Sequence, residues 1–206
     1  MRRPAARRTI ENALRRRGFR CVAGADEVGR GALAGPVVAA AVVLHPRRRI
    51  AGIRDSKLLT ASERERLYAE ITATARWAVV AAPPRDVDRL NVHRASLDAL
   101  RRAVAALEPP PAFALIDGFL VPGLDVPQRA IVGGDRRCAA IAAASIVAKV
   151  TRDREMARLH GVDPRYGFDR HKGYATRAHL DALARFGYSD VHRRSFRPCA
   201  GNIAGP

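Results

Sequence analysis

The chain of 206 residues is long enough for one domain with a hydrophobic core and too short for two domains of ordinary size. Its apolar content of 48% argues against a disordered chain, and its longest apolar stretches, residues 32–44 and 138–148, are shorter than the roughly 20 residues that span a bilayer. The net charge of +17 predicts a polyanionic partner such as nucleic acid. Because only three of the 37 basic residues are lysine, an arginine-rich genome composition is an alternative source of that charge.

The cysteines and the N-terminus bear on the cellular compartment. Cys21, Cys138 and Cys199 are odd in number and form no CxxC pair, which disfavours a disulfide framework or a zinc site. Arginines stand where a secretion signal would place its apolar segment. We therefore expect a cytoplasmic protein, with no membrane partner.

Residues 1–18 are predicted to form a flexible basic arm, with a possible short helix capped at Thr9. Residues 1–20 contain eight arginines and one glutamate. A mitochondrial transit peptide, which is also rich in arginine and poor in acid, is the alternative interpretation. The catalytic domain is expected to cover residues 19–198, and residues 199–206 are expected to form a short tail.

The elements that follow alternate between strands and helices. A capping-box pattern from Thr60 to Glu63 predicts the start of a helix that runs to about residue 75. Strands are predicted over residues 19–25, 37–44, 77–82, 112–116 and 129–132, and further helices over 91–107, 136–159 and 176–185. This order indicates an α/β domain with a mixed central sheet flanked by helices, and with a C-terminal helical segment.

Three of the predicted strands lead into acidic residues. Asp26 and Glu27 follow the first strand, Asp117 follows the fourth, and Asp135 follows the fifth. If these acids converge, a pair of carboxylates at ~4 Å repels by about 4 kcal/mol at an effective dielectric of ~20, so that a cation is needed. Hard divalent ions such as Mg²⁺ take carboxylate oxygens, and a pair of them can promote phosphodiester hydrolysis. Taken singly, Asp117 before glycine is typical of a turn and Asp135 of a helix N-cap.

The adjacency of Asp26 and Glu27, and the presence of a further acid at Asp153, both bear on which carboxylates can share one site. Adjacent strand residues face opposite sides of a sheet, so Asp26 and Glu27 can converge only if the strand ends there, as the glycine-rich residues 28–31 predict. Asp153 lies about 27 Å from Asp135 if one continuous helix joins them. We therefore assign Asp135 to the site and exclude Asp153.

The order of motifs resembles bacterial ribonuclease HII over approximately residues 21–198. The first motif is ADEVGRGALAGP at residues 25–36. The others, in order, are DSKL at 55–58, LNV at 90–92, IDG at 116–118, GD at 134–135, AASIVAKV at 143–150, YGF at 166–168, HKGY at 171–174 and HRRSF at 192–196.

The resemblance implies a ribonuclease H-like fold, a divalent ion (Mg²⁺ or Mn²⁺) and a monomeric endonuclease. Such an enzyme cuts the RNA strand of RNA/DNA hybrids, and the DNA strand on the 5′ side of an embedded ribonucleotide, leaving 3′-hydroxyl and 5′-phosphate ends. The implied catalytic and metal-binding residues are Asp26, Glu27, Asp117 and Asp135. The implied substrate-binding residues are Gly29, Arg30, Gly31 and Tyr174 at the ribose, and Ser56, Lys57, Asn91 and Lys172 at phosphates.

Two departures and two rival functions stay open. Phe119 stands where the family often has a polar residue, and Arg136 with Arg137 replaces a more usual serine-containing sequence. The rivals are a non-catalytic nucleic-acid-binding domain and a DNA nuclease of the same fold. The acids count against the first, because carboxylates in a phosphate-binding cleft are costly without metal. A sensor for the 2′-hydroxyl counts against the second.

Overall fold

The computed structural model describes residues 5–197. The strands are β1 (Val22–Val28), β2 (Val37–Val43), β3 (Arg76–Ala82), β4 (Phe113–Asp117) and β5 (Gln128–Ile131). The helices are α1 (Thr9–Arg16), α2 (Ala61–Thr74), α3 (Pro84–Leu90), α4 (Val92–Ala105), α5 (Gly134–Arg137), α6 (Ala139–Val162), α7 (Phe168–His171) and α8 (Arg177–Phe186), with short 3-10 turns at Ser56–Leu58 and Pro164–Tyr166. The predicted α/β class and mixed sheet are confirmed.

The five strands form one sheet in the order β3-β2-β1-β4-β5. The first three strands are antiparallel neighbours, whereas β4 runs parallel to β1 and β5 runs parallel to β4. Ala25 pairs with Ile116, and Asp117 pairs with Ile131. The carboxyl ends of β1, β4 and β5 therefore meet at one edge of the sheet, which we call the site edge.

Helices cover both faces of the sheet. The alanine-rich first half of α6 packs on one face, and its closest approach is at Gly24, where a Cβ would collide with the backbone of Ala140. The other face packs Ala23, Ala25 and Ile116 against α4. A third apolar cluster joins residues 33–34 to the C-terminal helices, and we call residues 164–196 the C-terminal segment. None of the helices within residues 5–197 is long and apolar enough to cross a bilayer.

Two predicted boundaries were wrong. The helix predicted over residues 136–159 is two helices, because Cys138 adopts an extended conformation between α5 and α6. The first strand does not end at Asp26, because β1 stays paired with β2 as far as Val28. Asp26 therefore lies on the α6 face of the sheet and Glu27 on the α4 face.

The first helix corrects the expected flexibility of the basic arm. Leu14 of α1 belongs to the core beside α6, and the buried Glu11 accepts a hydrogen bond from the amide of Ala140 at 2.8 Å. The N-cap position is Arg8 rather than Thr9. A carboxylate at a helix N-terminus is favourable, which gives α1 a reason to dock there. Residues 1–4 of the arm, and the predicted tail 199–206, lie outside the described residues.

Candidate active site

The site edge brings the four predicted acids within electrostatic range of one another, although β1 places Asp26 and Glu27 on opposite faces of the sheet. Asp26 and Glu27 come from the end of β1, Asp117 from the end of β4, and Asp135 from α5 just after β5. Asp26 and Asp135 are each only 5% exposed. Burial, followed by the charges of Glu27 and Asp117, raises the pKa of Asp26 well above its usual range. Burial also raises the pKa of Glu27 and of Asp135, and the charge of Asp117 adds to both shifts.

Each acid is directed toward a partner from the protein. Asp26 accepts the amide of Glu27 at 2.7 Å, and Glu27 pairs with Arg30 at 2.9 Å. Asp117 accepts the amide of Gly134 at 2.7 Å. Asp135 lies 3.7 Å from the ammonium of Lys57. Like charges repel, so the carboxylates turn toward cations and amides rather than toward one another.

The chemistry of these donors fits a hard divalent cation. All four acids offer oxygen ligands, and Glu27 Oε2 is buried without a hydrogen-bond partner. Three of the four carry a raised pKa, which is the electrostatic cost that a bound cation offsets. Within residues 5–197, however, no three Asp, Glu, His or Cys side chains converge closely enough, as placed, to surround an ion. The acids lie near one another but do not form a complete coordination site.

A fifth acid at this edge was missed by the sequence prediction. Asp55 is 1% exposed, and its carboxylate accepts the amide of Lys57 at 3.0 Å and lies 3.5 Å from Arg136. Its charge contributes to the raised pKa of Asp135. The signal was its place in DSKL, where only the serine and lysine were assigned roles. Asp55 holds Lys57 and Arg136 beside the acids.

The predicted phosphate contacts are placed unequally. Lys57 is exposed, and the charges of Asp55 and Asp135 outweigh burial and raise its pKa. Ser56 is buried, with its hydroxyl 2.8 Å from that of Ser145. Ser145 in turn hydrogen-bonds Asp26. A phosphate contact through the Ser56 hydroxyl would have to displace this support for Asp26.

The other two predicted phosphate contacts have structural roles as well. Asn91 has a positive φ of 65° and caps α4, because its Oδ1 accepts the amides of His93 and Arg94 at 3.0 and 3.1 Å. The ammonium of Lys172 donates to the carbonyl of Asp169 at 2.6 Å. Both residues therefore have a reason to be present apart from any ligand.

The two glycines of the Gly-Arg-Gly motif differ in what requires them. Gly29 has a φ of +91°, and a Cβ there would collide with the side chain of Arg152. Gly31 has no positive φ, and a Cβ added to it would meet no atom within 4 Å. Contact with Arg152 and the positive φ therefore explain why residue 29 is glycine, whereas residue 31 faces open space. Space of this kind lets a ligand approach the backbone closely.

Arg30 contacts one of the acids directly, and Tyr174 lies on a loop that is hydrogen-bonded to the loop following Gly31. Tyr174 is 36% exposed, and the residue before it is tied to the loop after Gly31, because Leu33 donates its amide to the carbonyl of Gly173 at 2.8 Å. Arg30 is held by Glu27 and lies 3.4 Å from the ring of His93. The excluded acid, Asp153, pairs with Lys149 at 2.7 Å on α6.

A mixed five-stranded sheet with four acids at or just after the carboxyl ends of its parallel strands, in a strongly basic chain, defines a nuclease of the ribonuclease H-like class. The family model of Ribonuclease HII matches residues 23–199. Ribonuclease HII of Rhizobium etli is 50% identical over 198 residues, which cover 96% of this chain and 86% of that protein. Ribonuclease HII of Xanthobacter autotrophicus is 57% identical over 190 residues, which cover 92% of this chain and 76% of that protein.

A solved structure agrees with the sequence relatives. The ribonuclease H2 from Pyrococcus horikoshii OT3 superposes with a TM-score of 0.75 at 25% identity, covering 87% of this chain and 95% of that one. The chain belongs to the ribonuclease HII family, and it is an endoribonuclease of the ribonuclease H type.

Proposed function

We propose that this endonuclease hydrolyses the RNA strand of RNA/DNA hybrids and cuts on the 5′ side of ribonucleotides embedded in duplex DNA. The observation that carries the proposal is the open backbone at Gly31, whose neighbour Arg30 pairs with Glu27 and whose loop is hydrogen-bonded to the residue before the exposed Tyr174. A bare backbone and an aromatic ring on two linked loops, one of which leads from the acids, suit recognition of a sugar at the scissile bond. A DNA-only nuclease has no need to recognise a 2′-hydroxyl.

We propose that Asp26, Glu27, Asp117 and Asp135 hold divalent ions, either Mg²⁺ or Mn²⁺. Held by these four acids, such ions would supply Lewis-acid chemistry for hydrolysis of a phosphodiester to 3′-hydroxyl and 5′-phosphate ends. The oxygen-only donor set and the orphaned Glu27 Oε2 support this assignment. Ser145 and the amide of Gly134 orient Asp26 and Asp117 for it.

The remaining residues of the site bind and orient the substrate. Lys57, whose ammonium extends from the buried Asp55 past Asp135, places a positive charge where a phosphate would approach the acids. The side chain of Arg30 is held by Glu27, and the backbone of Arg30 and Gly31 is proposed to contact the ribose, because Gly31 leaves open space there. Asn91 at the N-terminus of α4 and Lys172 are proposed to contact more distant phosphates.

The test is digestion of a DNA duplex that contains a single ribonucleotide. We expect one cut on the 5′ side of that residue, with cleavage lost on addition of EDTA and restored by excess Mg²⁺ or Mn²⁺. An all-DNA duplex of the same sequence should stay intact. Cleavage of the all-DNA duplex would favour a DNA nuclease, and binding without cleavage in any metal would contradict the proposal.

We further propose that the enzyme works as a monomer in the cytoplasm. Cys21 and Cys138, the two cysteines among residues 5–197, are both free thiols, as a reducing compartment maintains them. Light scattering coupled to gel filtration would reveal a dimer, and fractionation of cells would reveal another location.

A further inference from the structure

Two arginines are fully buried beside the proposed sugar-binding backbone. Arg152 on α6 and Arg193 in the C-terminal segment are each 0% exposed. Within residues 5–197, neither forms an ion pair with a carboxylate. A buried charge is costly unless it is fully hydrogen-bonded. The carbonyl groups that accept hydrogen bonds from these two guanidinium groups therefore identify the backbone segments that the arginines hold in place.

Arg152 binds the carbonyls of two separate loops. Its Nε donates to Pro36 at 2.9 Å and its Nη2 donates to Ala34 at 3.1 Å, both in the loop between β1 and β2. Its Nη1 donates to the carbonyl of Lys172 at 2.9 Å. The guanidinium carbon also lies 5.5 Å from the centre of the Tyr174 ring. One side chain thus fixes the loop that follows Gly31 against the residues that lead into Tyr174.

Arg193, near the C-terminal end of the described chain, also donates hydrogen bonds to the loop between β1 and β2. Its Nε and Nη2 both donate to the carbonyl of Gly35, at 3.0 and 2.8 Å. Its Nη1 donates to the carbonyl of Arg30 at 3.0 Å, which is the peptide bond that joins Arg30 to Gly31. Arg193 is therefore one hydrogen bond away from the open backbone at Gly31.

Three glycines of these loops allow close packing around Arg152 and between the loops. A Cβ on Gly29 would collide with Arg152, and a Cβ on Gly35 would collide with Met156 and lie 3.5 Å from Arg152. A Cβ on Gly173 would lie 2.5 Å from the carbonyl oxygen of Ala34. These glycines allow close packing of the two loops, whereas Gly31 faces open space.

We propose that Arg152 and Arg193 are positioning residues, a role that rests on the proposed ribonucleotide-cutting function. They lock the backbone of Arg30–Gly31 and the Tyr174 loop into one rigid frame, so that both contact the same sugar beside the acids. The planar guanidinium is required, because the fixed fork of donors lets Arg152 bind three carbonyls in two loops and lets Arg193 bind the carbonyls of Gly35 and Arg30 at once. Neither arginine contacts the reacting atoms.

The experiment measures Arg152→Lys and Arg193→Lys on the duplex with a single ribonucleotide. Both variants keep the charge and most of the volume. We expect kcat to fall by roughly 10- to 100-fold, the scale of a ~1 Å misplacement, while KM changes by less than about threefold and the protein stays folded at the assay temperature. The matched control is Arg158→Lys on the same helix, where the exposed arginine pairs with Glu155, and its kcat should equal that of the wild type.

A wild-type protein that does not cut this duplex overturns the proposed function itself. If the wild type cuts and both lysine variants turn over within about twofold of it, only the positioning role is overturned. A loss confined to KM, or one that matches the unfolded fraction measured by circular dichroism, also overturns it.

A second measurement needs no variant. Hydrogen exchange in the wild type should protect the amides of Leu33 and Gly35, which donate to the carbonyls of Gly173 and Val191, as strongly as those of β1. Exchange at these two amides as fast as in the exposed residues 47–49 would mean that the loop is not locked.

Discussion

Burial shifts the pKa of titratable groups in opposite directions at the site edge and in the C-terminal segment. At the site edge, burial and neighbouring like charges raise the pKa of Asp26, Glu27 and Asp135. In the C-terminal segment, burial lowers the pKa of His179 and of His192 to about 4 each. Acid conditions therefore relieve repulsion at the site edge, whereas they place unwanted charge in the C-terminal segment.

Hydrogen bonding separates the two regions further. The Nδ1 of His192 lies 3.0 Å from the amide of Ser189, which makes it an acceptor, so its Nε2 carries the proton and donates to Nε2 of His179 at 3.1 Å. The Nδ1 of His179 then donates to the carbonyl of Tyr174 at 3.0 Å. The neutral rings are satisfied, whereas Glu27 Oε2 at the site edge is buried without a partner. The His179–His192 pair is therefore complete without a ligand, whereas the acids at the site edge are not.

The largest expected effect comes from removing one charge of the site edge. Asp135→Asn should lower kcat by at least about 100-fold, because several kcal/mol of transition-state stabilisation depend on the bound cation. Its melting temperature should be unchanged or higher, because repulsion from Asp117 and Asp55 is relieved. Steady-state cleavage and thermal melts in EDTA measure the two quantities. The control is Asp153→Asn, which should keep its rate, and the reverse pattern would show that Asp153 is the metal-binding acid.

Acid should destabilise the His179–His192 pair. Because the folded pKa of His179 and of His192 lies near 4, below the ordinary 6.5, the unfolded chain takes up protons first. Their stabilising contribution is full above pH 6.5 and is lost as the pH falls toward 4. Protonating one ring should cost on the order of 3 kcal/mol.

NMR titration of the two histidine rings checks this directly, with the urea-unfolded chain as the control that shows the ordinary midpoint. Ring midpoints in the folded protein above about pH 6 would contradict the burial argument.

Tyr174 touches both regions, since its carbonyl accepts from His179 while its ring is exposed near the site. Tyr174→Ala should slow cleavage at a single ribonucleotide by up to about 100-fold, because the ring positions the sugar. Duplex affinity should change little, since phosphate contacts carry most of the binding. Rates under saturating substrate and fluorescence anisotropy in Ca²⁺ separate the two. Equal losses in rate and affinity would make Tyr174 a purely structural residue.

The smallest effect concerns a buried carboxylate of which one oxygen, Oε1 of Glu11, accepts a hydrogen bond from the protein, while Oε2 has none. Glu11 is 1% exposed and caps α6 through the amide of Ala140. Glu11→Ala should lower the free energy of unfolding by about 1–2 kcal/mol, the usual cost of losing a helix cap, while kcat stays unchanged. Urea denaturation measures the loss. Stabilisation by this substitution would mean that buried acids are unfavourable throughout the chain, rather than only at the site edge.

The sequence by itself determined the features that local pattern controls. The capping box at Thr60 and Glu63 forms as predicted, and Asn91 and Thr176 begin the helices expected after them. The acids at the ends of β1, β4 and near β5 were found because an apolar strand that leads into an acid is visible in a single sequence. The motif order also identified the family, which the comparisons confirmed.

Only the tertiary structure decided which polar residues are buried, and against what. Arg152 and Arg193 look like any other arginine in a chain that has 37 basic residues, and α1 looks like a solvated basic arm until Glu11 meets the N-terminus of α6. The break at Cys138 and the continuation of β1 to Val28 depend on neighbours far away in sequence. Propensity is a weak local preference, whereas burial and pairing are set by contacts between distant segments, so these positions could not be inferred from residue order.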